Sequence, residues 1–277
     1  MCTLVAIHRV VPGRWLVVAA NRDEFLDRPS EGPKLWRGDL GRGGPLVAPT
    51  DIRAGGTWLG VNRHGVFSAL TNLRSATRDQ GRISRGKVVV DSLRVESAVE
   101  AAAVLESLPA GSHNPFNFFV ADQEHAFLAV YDEEIKLRKL NPGVYVIGNG
   151  NPLETPEPGL MRLQSRVDSV VAGQKEDLIE TLAAFCREHT NGGGSLEDLC
   201  VHMGDRYGTR SSILLELNEF VEREAEEVRR TGGGSIRKGS RLLYADGPPC
   251  QAPYEDRSFL LDELRRTPGY ESAEIRR

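Results

Sequence analysis

The 277-residue chain is poor in the features that mark specialised protein classes. Its four cysteines, Cys2, Cys186, Cys200 and Cys250, are too few and too widely spaced for a disulfide scaffold, and no C-x-x-C pair points to a zinc ribbon or redox motif. A reducing compartment is the expected setting. Long apolar runs are also missing. The opening run from Leu4 is interrupted by His8 and Arg9, then by Pro12, Gly13 and Arg14, before Trp15–Ala20 begins. That pattern is neither a signal peptide nor a membrane span, and the expectation is a cytoplasmic protein.

Excess positive charge is absent as well. A formal net charge of -4 and a pI near 5.9 give no global attraction for nucleic acid. The basic cluster Arg229, Arg230, Arg237, Lys238 and Arg241 lacks the interleaved aromatics of a base-stacking surface. Gly81–Lys87 follows the spacing of a phosphate-binding loop up to its Lys, but Val88 stands where a magnesium-holding Ser or Thr belongs, and no apolar strand precedes it. There is no C-x-x-C-H or H-E-x-x-H. Cys186 with His189, and Cys200 with His202, raise a soft-metal or haem-iron site, but Cys186 falls on the apolar side of a helix with Leu178, Leu182 and Phe185. No metal is therefore expected. Oligomeric state is not encoded in these features.

What is present is an ordinary globular composition, 40% hydrophobic and 27% charged, without a linker-like break. The expectation is a single domain over 1–277, carrying a charged, helix-favouring insertion at about 219–239. Cys2–Val11 and Trp15–Ala20, around Pro12-Gly13-Arg14, read as a β-hairpin apolar on both faces, hence as strands lying between two other layers. The stretch 27–56, rich in Gly, Pro and Arg, reads as a loop over the site. A second hairpin is expected at 57–70, then two helices within 84–108. A meander of strands follows at 116–121, 126–131, 135–140 and 144–147. Helices are expected at about 160–171, 176–188 and 196–203, and closing strands at 211–217 and 240–245. Two antiparallel sheets packed together and flanked by helices, a four-layer αββα sandwich of the α+β class, satisfy this order.

Cys2 is the residue with most chemical promise. Removal of Met1 leaves a thiol and an α-amine on one residue, so nucleophile and base are held together. Their ordinary pKa values, about 8.5 and about 7.7–8.0, let a proton pass between them near neutrality. Asn21-Arg22-Asp23-Glu24 closes the second strand, and the hairpin brings Asp23 back beside Cys2. Alternation puts Asn21 and Asp23 on one face, Arg22 and Glu24 on the other.

These pieces, with Gly55-Gly56-Thr57-Trp58-Leu59-Gly60, Thr71-Asn72, Ser84-Arg85-Gly86, Asn117-Phe118 and Tyr207-Gly208-Thr209-Arg210-Ser211-Ser212, resemble the NRDE family, the family of transport and Golgi organisation protein 2. The resemblance spans nearly the whole chain. It implies an N-terminal-nucleophile fold, similar in layout to the choloylglycine hydrolases and penicillin V acylases. It also implies Cys2 as nucleophile, Asp23 beside its amine, Asn72 and Asn149 near the oxyanion position, and Arg210 supporting the cluster. Asn149 sits in Gly148-Asn149-Gly150-Asn151-Pro152, residue types that equally make a turn. One position departs from the choloylglycine pattern Arg-Asn-x-Asp: its Arg falls on Ala20 here. Two functions compete. One is an amidohydrolase of a small amide or acyl substrate, needing no cofactor. The other is a non-catalytic carrier using the same cleft for haem or a lipid-like ligand, in line with the family's links to haem mobilisation and lipid handling.

Overall fold

The computed structural model describes residues 2–38, 40–74, 79–154, 157–174, 177–189, 199–220 and 235–267. The first hairpin is as the sequence predicts: β1 (Thr3–Val11) and β2 (Arg14–Phe25) pair antiparallel, with Gly13 at φ 76° making the turn. Around them forms one sheet in the order β10 (Gly143–Ile147), β1, β2, β12 (Tyr207–Asn218), β13 (Arg241–Ala245), β14 (Glu255–Asp256), with β11 (His202–Met203) on β12. The second sheet runs β3 (Ser30–Trp36), β4 (Leu46–Asp51), β5 (Leu59–Asn62), β6 (Phe67–Asn72), β7 (Phe116–Ala121), β8 (Ala126–Asp132), β9 (Glu134–Leu140). All named strand pairs are antiparallel.

Three apolar layers result from strands that bury both faces. Leu4, Ala6, Leu16 and Val18 meet Leu59, Val61, Phe67, Ala69 and Phe119 between the sheets. On the outer face of the first sheet, Val5, Ile7, Val17 and Ala19 pack on α3 (Pro158–Ala172) and α4 (Leu178–Cys186) through Leu163, Val167, Ile179 and Leu182. On the outer face of the second, α1 (Arg85–Ser92) and α2 (Ala98–Glu106) bury Val88, Val89, Ala101 and Leu105 against Phe116, Phe118 and Ala129. The expected αββα sandwich of two antiparallel sheets is what the chain forms.

Four local expectations change. The stretch 27–56 holds β3 and β4 rather than a long loop. β3 is an edge strand with an irregularity between Glu31 and Lys34, where Gly32 and Pro33 are tolerated, and Pro49 lies beyond the two positions at which β4 pairs with β5. The meander ends at β9: β10 crosses to the other sheet and pairs with β1. A helix at 196–203 is replaced, in its described part, by a bend and β11, since Thr209 draws Val201 into backbone pairing. A further helix, α5 (Phe259–Arg266), which the sequence reading omits, packs Leu260, Leu261 and Leu264 against the inter-sheet core. The charged insertion lies mostly outside the described residues. No helix among the described residues is long and apolar enough to cross a membrane.

Candidate active site

Antiparallel register fixes the start of β1 beside the end of β2: Thr3 faces Asn21. Cys2 therefore continues the inter-sheet face of Leu4 and Ala6, opposite Arg22. Its nitrogen donates to Asn149 Oδ1 at 2.9 Å, and its Sγ lies 3.7 Å from the Asp23 carbonyl oxygen. Asp23 is buried, and its Oδ1 accepts from Thr209 Oγ1 at 2.6 Å on the neighbouring strand. The Tyr207 hydroxyl donates to the Asp23 carbonyl at 3.2 Å.

Asn149 is reached from the opposite sheet. Buried Asn117 on β7 donates to the carbonyls of Gly148 and Gly150 at 3.1 and 2.8 Å, and Thr71 Oγ1 donates to Gly148 at 2.5 Å. The loop after β10 is thus clamped on both sides of Asn149. The Asn149 amide N–H donates to the Asn72 backbone carbonyl, which leaves its oxygen turned to the Cys2 nitrogen. Asn149 consequently positions Cys2, while Asn72 lines the cavity.

That cavity, about 480 Å³, opens where the ends of both sheets meet. Cys2, Arg22, Asp23, Trp58 and Asn72 line it, joined by charged residues including Arg28, Asp51 and Arg85. Arg28 is held by Asp51 at 2.6 Å, and Arg85 reaches the Pro115 carbonyl at 3.0 Å. One wall depends on glycine. A Cβ on Gly56 would stand 2.6 Å from the Gly86 backbone, so the loop before Trp58 and the start of α1 approach more closely than side chains allow.

Arg22 is the principal residue that the sequence reading left without a role. It is 6% exposed, lies 4.3 Å over the Trp58 ring, and its Nη1 has no hydrogen-bond partner among the described residues. Its position two residues after Ala20 puts a guanidinium on the Cys2 face although the choloylglycine-type Arg position is vacant. Arg210 is placed differently from the other expected residues. It is the extra residue where β12 shifts register between Thr209 and Ser211, and its guanidinium pairs with Asp246 at 3.0 Å instead of lining the cavity. Of the five expected residues, Cys2, Asp23, Asn72 and Asn149 come together and Arg210 stands apart. Thr209 and Asn117, present in the sequence reading only as parts of motifs, are support residues to which it gave no role. The signal for Asn117 was an amide inside the apolar run Phe116–Ala121.

Burial pushes the Cys2 thiol up, the Asp23 carboxylate adds to this, and the positive chain terminus, the hydrogen bond to the Asp23 backbone and Arg22 oppose it. Burial raises the Asp23 carboxyl to about 6, against the positive terminus and the Thr209 hydrogen bond. The resting thiol is therefore protonated at neutrality and needs a base to become a nucleophile.

Two facing antiparallel sheets between helical layers, with Cys2 just before the first strand and Asp23 near the end of the second, form a fold shared with the N-terminal-nucleophile hydrolases. The chain resembles the Caenorhabditis elegans N-acylethanolamine-hydrolyzing acid amidase ortholog, with TM-score 0.55 and 11% identity over 83% of this chain and 97% of that one. It also resembles the C2A mutant of the Clostridium perfringens conjugated bile acid hydrolase, with TM-score 0.56 and 13% identity over 98% and 97% of the two chains. At such identities the likeness is one of fold. The model of the family Transport and Golgi organisation 2 matches residues 1–229, and the chain belongs to that family. The human Transport and Golgi organization protein 2 homolog is 33% identical over 151 residues, 51% of this chain and 52% of its own length. The Drosophila melanogaster protein is 28% identical over 250 residues, 76% of this chain and 87% of its own. The chain thus spans about half the length of the mammalian relatives and most of the fly one.

Proposed function

We propose that the protein is an N-terminal-cysteine amidohydrolase acting on a small amide or acyl substrate. The observation that carries this reading is that the Cys2 nitrogen is held by Asn149 while its thiol borders a polar cavity shared with Asp23 and Asn72. Removal of Met1 turns that nitrogen into a primary amine. The amine takes the thiol proton, and the thiolate attacks the substrate carbonyl, with Asn72 donating to the oxyanion. As the carbon–nitrogen bond breaks, the ammonium returns its proton to the departing amine. Water, deprotonated by the same amine, then splits the acyl-thioester and frees the thiol. Asp23, buried and tied to Thr209, fixes the charge beside the amine in the way a carboxylate orients a catalytic base.

The charged lining favours this over the carrier reading in the same cavity. A haem macrocycle or lipid chain is best buried against apolar walls, whereas Arg22, Arg28, Arg85, Asp23 and Asp51 suit a polar, anion-bearing substrate.

The test is intact-mass spectrometry after exposure to an acylating probe. Acylation confined to Cys2, absent in Cys2→Ala with the fold retained, is expected. That substitution removes the thiol and with it the covalent route, so turnover falls by about 10³-fold or more. Labelling spread over Cys186, Cys200 and Cys250, or retained Met1 in protein from its native host, overturns the mechanism.

A further inference from the structure

Beyond Thr209 from Asp23, four donors drawn from three separate stretches of the chain converge. Cys200 Sγ lies 3.4 Å from Cys250 Sγ and 3.5 Å from His202 Nε2, and His202 Nε2 lies 3.2 Å from Cys250 Sγ. His189 completes the group: its ring meets that of His202 edge-on at 5.1 Å, and donor atoms of His189, His202 and Cys250 all fall within 4.8 Å of one another. We propose that His189, Cys200, His202 and Cys250 form a tetrahedral site for a soft divalent cation, zinc being the type.

The geometry fits that ion. Bonds of about 2.3 Å to sulfur and about 2.0–2.1 Å to nitrogen give tetrahedral edges of about 3.8 Å for S···S and about 3.5 Å for S···N. The three separations among Cys200, His202 and Cys250 lie within about 0.4 Å of those edges, and exposed His189, whose donor atom is within 4.8 Å of those of His202 and Cys250, is the looser fourth ligand. All four cysteines are free thiols, so neither sulfur is committed to a disulfide. Two thiolates with two imidazoles select zinc over hard cations such as magnesium or calcium.

Each donor is carried by backbone that is already fixed. The Cys200 N–H donates to the Glu188 carbonyl at 2.8 Å, which ties it to the residue preceding His189. His202 pairs with Gly208 in β11, and Cys250 sits in a turn closed by hydrogen bonds from Gln251 and Ala252 to the Pro248 carbonyl. Cys200 is fully buried, His202 and Cys250 are half-buried, and His189 is exposed, so an ion has an open side by which to enter. On coordination each thiol gives its proton to solvent and the imidazoles bind neutral.

The site also reaches the cavity. Val201, between two of the donors, donates from its N–H to Thr209 Oγ1 at 2.8 Å, and Thr209 Oγ1 donates to Asp23 at 2.6 Å. A bound ion therefore braces the strand that holds Asp23. This inference stands whether or not Cys2 is a nucleophile.

The experiment uses the full chain, reduced and freed of metal, then titrated with zinc chloride against a chromophoric chelator and separately with cobalt(II). One zinc per chain and the visible bands of tetrahedral cobalt with thiolate ligands are expected. Cys250→Ser and His202→Gln should each weaken zinc binding by about 100-fold or more, while Cys186→Ser leaves it unchanged. Cys250 and His202 are only half-buried, so these variants retain the fold, which circular dichroism verifies. Zinc uptake below about a tenth of an equivalent by the reduced protein overturns the site. So does a cobalt spectrum unaltered in Cys250→Ser, or a Cys200–Cys250 disulfide in the isolated protein with no zinc uptake after its reduction.

Discussion

Two stretches of β2, Trp15–Ala19 and Asn21–Asp23, are buried to nearly the same depth and differ in almost everything else. Trp15 to Ala19 are 0–2% exposed and wholly apolar, packed against both layers. Asn21, Arg22 and Asp23 are 3–6% exposed and polar. In the apolar half any well-fitting side chain of similar volume satisfies the packing. The polar half is satisfied only by named partners: Asn21 donates to the carbonyls of Cys186 and Leu199 at 2.9 and 2.7 Å, Asp23 accepts from Thr209, and Arg22 lies on Trp58. Depth of burial in one strand thus serves cohesion at one end and placement of charge at the other.

Trp15→Ala should show the largest effect, a loss of about 3–5 kcal/mol in urea unfolding, because a fully buried indole leaves a cavity between the sheets. Asn21→Ala should cost less, about 1–3 kcal/mol, since it strands carbonyls at the end of α4 and at Leu199 without removing much volume. A cost for Asn21→Ala equal to that of Trp15→Ala would erase the distinction between the halves. The most telling effect is that of Asp23→Asn, whose size depends on pH.

The Asp23 carboxyl is raised in the fold from 3.8 to about 6. Its contribution to stability is full below the unfolded value and is lost as pH rises through the folded one. Asparagine keeps an oxygen for Thr209 but has no proton to lose. The variant should therefore be more stable than the wild type above about pH 6 and converge with it near pH 4. Unfolding curves at both ends of that range check the sign, and a pH-independent difference would show that Thr209 and the chain terminus fully compensate the buried charge.

Much of the architecture was legible because strands apolar on both faces have few alternatives to a layered fold. The β1–β2 hairpin placed Asp23 beside Cys2 directly from Pro12-Gly13 and the length of the two runs. What escaped reading depended on partners rather than pattern. Nothing in Gly143–Ile147 says that β10 leaves the meander to flank β1, yet that crossing delivers Asn149. Arg22 received a face but no role, because alternation does not say what covers that face. Arg210 was misplaced for the converse reason: a one-residue bulge re-aims a side chain without altering the motif around it. Cys200 and Cys250, fifty residues apart, meet only through the β11 and 248–252 turns.

β1 is an inner strand, paired on one side with β2 and on the other with β10. The residue that holds the Cys2 nitrogen comes 147 positions later in the chain. On a ribosome adding about 5–20 residues per second, that interval is roughly 7–30 s. The first strand can form its hairpin as soon as β2 emerges, but its outer edge and the seat for Cys2 arrive only after β3 to β9 have been made. During that time Cys2 lacks its partner, and afterwards its nitrogen is held by Asn149 on the loop clamped by Asn117. The order of synthesis thus makes the seat for Cys2 one of the later features of the fold to be completed.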